Sequence, residues 1–82
     1  MQIIWDERKR WINFEKHGFD FADLNFEFFL NAVAMPARGG RSKAIGRLND
    51  GTIIVIYLNL GSEAISVISM RTARMDERRM LK

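Results

Sequence analysis

Cysteine is absent from the 82 residues, and with it go disulfide staples, thiolate nucleophiles and cysteine-held zinc or iron–sulfur centres. His17 is the sole histidine, so a metal site would have to be built mainly from carboxylates. The ten acids are scattered, however, with no Asp-x-Asp, His-x-x-x-His or His-Glu-x-x-His spacing. No metal and no cofactor are expected. Long apolar runs are also lacking: the longest, Ile53 to Leu58, has the length of a strand, far short of the roughly 20 residues that cross a bilayer. The opening Met1-Gln2-Ile3-Ile4-Trp5-Asp6 has no basic leader, apolar stretch and small-residue cleavage site in succession, so a cytoplasmic location is expected.

The length suits one core and is too small for two domains or an ordinary cofactor-binding fold, so residues 1–82 read as a single domain. A hydrophobic fraction of 48% beside 28% charged residues is that of a soluble globular chain. The net charge of +3 is unevenly spread. Residues 1–31 hold six acids and four bases, and residues 32–82 hold nine bases and four acids. Such polarity fits a face offered to a polyanion, and equally a solvated basic surface.

Met1 to Trp5 is rich in β-formers and reads as an edge strand. Asp6 caps a helix from Glu7 to His17, with Trp11, Ile12 and Phe14 on one side and Gly18 placed for a left-handed C-terminal residue. Asp20 opens a second helix through Leu30, burying Phe21, Leu24 and Phe28. Residues 31–40, with Pro36 and the pair Gly39-Gly40, read as a flexible loop. Arg41 to Leu48 and Thr52 to Leu60 are strands joined by an Asp50-Gly51 hairpin turn, and Ala64 to Arg71 completes a meander. Thr72 to Lys82 is a charged last helix, amphipathic enough to dock against a partner. The sum is an α+β domain ordered β-α-α-β-β-β-α, with helices on one face of the sheet and the other face free for function.

Within this frame, Trp5-Asp6, Lys9, Asn13 and Lys16-His17-Gly18, followed by Phe21 and Ala22, resemble the opening pattern of the BrnT family. Arg41 five residues before Gly46, and Ile68-Ser69-Met70-Arg71-Thr72-Ala73 with Glu77-Arg78-Arg79, are similar to the rest of that pattern. The resemblance covers nearly the whole chain. It implies a RelE-like fold and a ribonuclease toxin of a type II toxin–antitoxin system that arrests growth by cutting RNA. It also implies neutralisation by a BrnA-like antitoxin and a toxin homodimer within a toxin–antitoxin heterotetramer. The sequence departs from the family pattern at Gly39, where a Glu is usual, at Arg74, where a Thr caps the last helix, and at Leu81, where an aromatic is usual.

Metal-free RNA cleavage requires a base for the 2′-hydroxyl, an acid for the leaving 5′-oxygen and cations for the phosphorane. His17 and Lys16 are the proton-carrying candidates. Each also has a plain structural reading, since two cations in the last turn favour the carbonyl end of a helix. Arginine's planar fork suits phosphate, which points to Arg71 with Arg47 beside it, while Arg41 is carried by the resemblance. The hairpin register sets Arg47 opposite Ile54 and Arg41 opposite Leu60, with Ser69 near Ile54. Arg47, Ser69 and Arg71 then share one end of a face. Arg41 and Lys43 lie at the other, roughly 20 Å away at ~3.3 Å per residue. Lys43, Ser69, Arg74 and Trp5 complete the RNA-contacting set, Trp5 as a stacking platform, with Trp11 and Tyr57 expected in the core. A non-catalytic RNA- or partner-binding module stands as the alternative reading.

Overall fold

In the computed structural model, which describes residues 1–81, helix α1 (Glu7–His17) forms between the two ends expected for it. The Asp6 carboxylate accepts the Arg8 N–H at 2.8 Å, and Gly18 adopts φ 78° while its N–H donates to the Phe14 carbonyl. The second helix is interrupted. Asp20 caps only a 3₁₀ turn, Phe21–Asp23, after which Asn25 accepts the Phe28 N–H at 2.9 Å and starts α2 (Phe26–Asn31). Two good capping residues five positions apart each divert a backbone N–H, and neither yields to a continuous helix.

Strand β1 (Gln2–Trp5) lies at one edge of a five-stranded sheet with β3 (Ser42–Leu48), β4 (Gly51–Leu60) and β5 (Ala64–Thr72). Residues 33–36, expected in a loop, form β2 (Val33–Pro36) at the opposite edge. Pro36 and the glycines are compatible with this because an edge strand leaves alternate N–H groups unpaired and the glycines close the hairpin at positive φ. The order is β1-β5-β4-β3-β2; β1 pairs with β5 in parallel and the other pairs are antiparallel. The β3–β4 turn is Asn49-Asp50 rather than Asp50-Gly51, with Asn49 at φ 56°, a conformation its side chain tolerates. Arg47 therefore faces Thr52 instead of Ile54, a slip of two residues that preserves every side chain's face. In β5, Ser69 pairs with Ile56 and Val67 with Tyr57, leaving Ile68 as a bulge residue.

The 3₁₀ turn and α2 cover one face, burying Phe21, Leu24 and Phe28 against Ala44, Ile53, Val55, Tyr57, Val67 and Met70. Gly46 belongs to that face for a steric reason: a Cβ there would lie 2.7 Å from Cε1 of Phe28. The other face is only partly open. Ile45, Ile54 and Ala73 are buried on it, with Leu81 packed over them. The last helix is one turn, α3 (Met75–Arg78), because Thr72 remains in β5 and Arg74, at the N-cap, has no acceptor to offer. Lys82, at the end of the expected helix, lies outside the described residues. Helix α1 flanks β5 and buries only Asn13, so Trp11, expected in the core, is 56% exposed, whereas Tyr57 is buried as expected. No helix among the described residues is long and apolar enough to cross a membrane.

Candidate functional site

Register brings the cations together on the partly open face. The rungs Lys43–Ile56–Ser69 and Ile45–Ile54–Arg71 lie side by side across β3, β4 and β5. Glu77, projected from α3, sits between the cations of these rungs. Its two carboxylate oxygens accept from Nη1 and Nη2 of Arg71 at 2.9 Å each, and Oε1 also accepts the Arg74 N–H at 2.8 Å. Lys43 Nζ lies 3.6 Å away and Arg74 Nη2 3.3 Å away. The side chain of Glu77 is 3% exposed. The Arg71 fork, outweighing the cost of burial, holds its carboxyl down at about 2.

Around this pair opens a cleft of about 350 Å³ lined by Arg38, Arg41, Lys43, Ile56, Arg71 and Arg74. Arg41 and Arg71, expected some 20 Å apart at ~3.3 Å per residue, share it. The two-residue slip in β3 and the bulge-shifted register of β5 bring Lys43 level with Ser69, and Arg41 follows directly on the Arg38–Gly40 turn. Arg47 does not join them; it lines a separate cavity at the β3–β4 turn with Arg78 and Arg79. Five cations line or edge the Arg71 cleft against the carboxylates of Glu77 and Asp76, so the cleft is cationic overall. Lys43, Arg71 and Arg74 are paired with these acids, whereas Arg38 and Arg41 have no acidic partner among the described residues.

A second concavity, about 360 Å³, lies beside α1 and is lined by Lys9, Ile12, Asn13, Lys16, His17, Ile68 and Ser69. The spacing of Lys9, Asn13 and Lys16-His17 puts them on one helical stripe. Asn13 fixes that stripe to the bulged strand: its Oδ1 accepts the Met70 N–H at 3.1 Å, and its Nδ2 donates to the Phe19 carbonyl at 3.4 Å. Pairing of β1 ends at Trp5–Val67, so this part of the β5 edge is otherwise unpartnered. Ser69 lines the groove and stands directly opposite Ile56, which lines the cleft, so groove and cleft adjoin. Lys16 and His17 are exposed in the last turn of α1, at the carbonyl end of its dipole.

Trp5 is withdrawn from both concavities. Its ring packs edge-on to Phe21 at 6.4 Å, its Nε1 donates to Glu7, and Arg10 lies 6.0 Å from the ring. Arg10 is itself held by a bidentate pair with Asp20 at 2.7 and 3.0 Å, which raises its pKa and lowers that of Asp20. Glu77, Lys9 and Arg38 were not singled out as site residues from sequence. Glu77 had a signal: an acid three positions after a helix start can reach back to the N-cap N–H. Among the described residues no three His, Asp or Glu side chains converge as metal ligands would.

The model of a family described as the ribonuclease toxin BrnT of type II toxin–antitoxin systems matches residues 5–77. The chain belongs to that family. The crystal structure of the Brucella abortus ribonuclease toxin BrnT is 56% identical to it, with a TM-score of 0.86, and the match covers 92% of this chain and 99% of that one. No functionally curated protein matches. The mixed α+β architecture, five strands with three helices, agrees with the BrnT structure. The residues of the groove and of the Arg71–Glu77 cluster all fall inside the span matched to the BrnT family.

Proposed function

We propose that this BrnT-family chain is a single-domain, cytoplasmic endoribonuclease toxin of RelE-like fold. It cleaves RNA without a metal, by attack of a 2′-hydroxyl on the adjacent phosphorus, and is neutralised by a BrnA-like antitoxin, as a toxin dimer within a heterotetramer. The observation that carries the reading is the junction at Ser69 and Ile56 of a groove holding Lys16 and His17 with a cleft holding Arg41, Lys43, Arg71 and Arg74. Proton carriers and phosphate-binding cations then lie on one continuous surface.

In this mechanism a ribose lies in the groove and its 3′-phosphate over the Ser69–Ile56 rung. The His17 imidazole accepts the 2′-hydroxyl proton. The 2′-oxygen attacks phosphorus, and the phosphorane charge is met by Arg41 and Lys43, with Arg71 held in place by Glu77. The 5′-oxygen leaves with a proton from Lys16 or a water, giving a 2′,3′-cyclic phosphate and a 5′-hydroxyl. Arg41 takes the leading phosphate role here, because its guanidinium has no acidic partner among the described residues while the Arg71 fork is occupied by Glu77.

That same occupation, with Gly39 standing where the family pattern has a carboxylate, favours a second reading in which the surface binds RNA without cutting it. Purified chain incubated with RNA in EDTA separates the two. The first reading expects cleavage, lowered at least tenfold in Arg71→Ala and in Arg41→Ala with the fold preserved. Salt-sensitive binding without products supports the second.

A further inference from the structure

Arg47, Arg78 and Arg79 belong to neither the groove nor the cleft. They line an open cavity of about 490 Å³ at the β3–β4 turn, with Asn49, Thr52 and Leu81. All three are exposed, and among the described residues none forms an ion pair. One acid, Asp50, lines the same cavity. The contrast with the Arg71 cleft is direct, since there Lys43, Arg71 and Arg74 converge on Glu77.

Uncompensated guanidiniums around a concavity make a site for a doubly accepting anion, and phosphate oxygens fit their planar forks. Among the described residues the lining holds no aromatic residue to anchor a protein partner, so the cations favour a nucleic-acid backbone. Position argues the same way. Arg47 shares the face of Ile45, Ile54 and Arg71, one side-chain row along and two strands over, about 12 Å away at strand spacings of ~4.8 Å and a rise of ~3.3 Å per residue. A few nucleotides of extended RNA bridge that distance. Leu81, packed on the cluster of Ile45 and Ile54, also lines this cavity and gives it an apolar wall.

We propose that Arg47, Arg78 and Arg79 form a second phosphate-binding subsite, which holds the backbone of an RNA strand whose reacting phosphate lies in the Arg71 cleft. The subsite rests on the ribonuclease reading above and adds to it a preference for RNA longer than the cleft alone can hold.

The test uses 2′-O-methyl RNA, which lacks the nucleophile, so binding is measured apart from cleavage. Fluorescence anisotropy of a trimer and a nonamer is followed from about 50 to 300 mM salt, for the natural chain and for Arg47→Gln/Arg78→Gln/Arg79→Gln. The expected result is a nonamer affinity at least tenfold lower in the variant and a log–log salt slope shallower by about 2, three contacts at ~0.7 each on single strands. The nonamer-to-trimer affinity ratio falls with it. Should the triple variant unfold, Arg47→Gln alone and the Arg78→Gln/Arg79→Gln pair divide the slope change about one to two. A natural chain that binds the nonamer and a variant that matches it in affinity and slope would overturn the subsite and leave the ribonuclease reading standing. A variant that keeps its RNA affinity but loses antitoxin binding would overturn it too, assigning the patch to a protein. If the natural chain binds neither oligomer, the RNA reading fails and the subsite with it.

Discussion

Glu77 is held 2% exposed by three cationic side chains, so the cost of burying its charge is offset by bidentate Arg71, the Arg74 N–H and the nearby Lys43 and Arg74 ammonium and guanidinium groups. Its carboxyl titrates at about 2 against 4.5 when free. A depressed carboxyl stabilises the fold fully above its unfolded value and loses that contribution as pH falls through the folded one. At about 1.4 kcal/mol per unit the contribution is up to roughly 3 kcal/mol, present at neutral pH and draining away between about pH 5 and 2. Glu77→Gln should therefore cost roughly 2–3 kcal/mol at pH 7, because Arg71 and Lys43 lose their shared anion while keeping some contact with water. Urea unfolding at pH 7, 4 and 2.5 checks it. The gap to the natural chain closes as pH falls; an equal gap at every pH would show that the charge is not what stabilises. Asn13 makes a parallel case. Asn13→Ala leaves the Met70 N–H unpartnered and should cost about 1–3 kcal/mol, while Asn13→Asp, which keeps the acceptor, should recover part of it.

Among the elements, Gly46 in β3 lies under the Phe28 ring of α2, and Ala32 Cβ stands 3.3 Å from where a Cβ would be. Phe28 is buried and cannot swing away, so Gly46→Ala should destabilise by about 1–3 kcal/mol, read as a lower melting temperature. Unchanged stability would mean that α2 is looser on the sheet than described. The elements also show what the sequence could and could not disclose. Helix α1 was legible residue for residue because Asp6 and Gly18 determine its ends locally. The break at Leu24 and the strand Val33–Pro36 were not, since competing caps and an edge position are settled by tertiary context. The β3–β4 turn was misplaced by one residue at its start, and the register slipped by two. Parity survived, so each site residue was assigned the right face but the wrong neighbours. For that reason Arg41 was set roughly 20 Å from Arg71, although the two line one cleft, and Arg47 was grouped with Arg71, although it lines a separate cavity. Glu77 was quoted as part of a motif, but nothing local says that a helix-capping acid also buries itself against Arg71.

At the level of the whole molecule, Arg38, Arg41, Lys43, Arg71 and Arg74 are drawn into one cleft, and α1 brings Lys9, Lys16 and His17 to the adjoining groove. A surface of this kind attracts polyanions at long range, so RNA binding should weaken steeply with salt. The chain belongs to the family of BrnT ribonuclease toxins, and Ser69 of the groove stands opposite Ile56 of the cleft. A His17→Ala variant that keeps its fold and RNA affinity but loses at least tenfold in cleavage rate would identify His17 as the base, and an unchanged rate would leave it as a helix-end residue. The account's central claim is metal-free cleavage by the ribose hydroxyl, and the most direct test is to analyse the ends of RNA cut by the purified chain in excess EDTA. The account predicts 2′,3′-cyclic phosphate and 5′-hydroxyl termini. Products with 3′-hydroxyl and 5′-phosphate ends, or no cleavage until a divalent metal is restored, would contradict it.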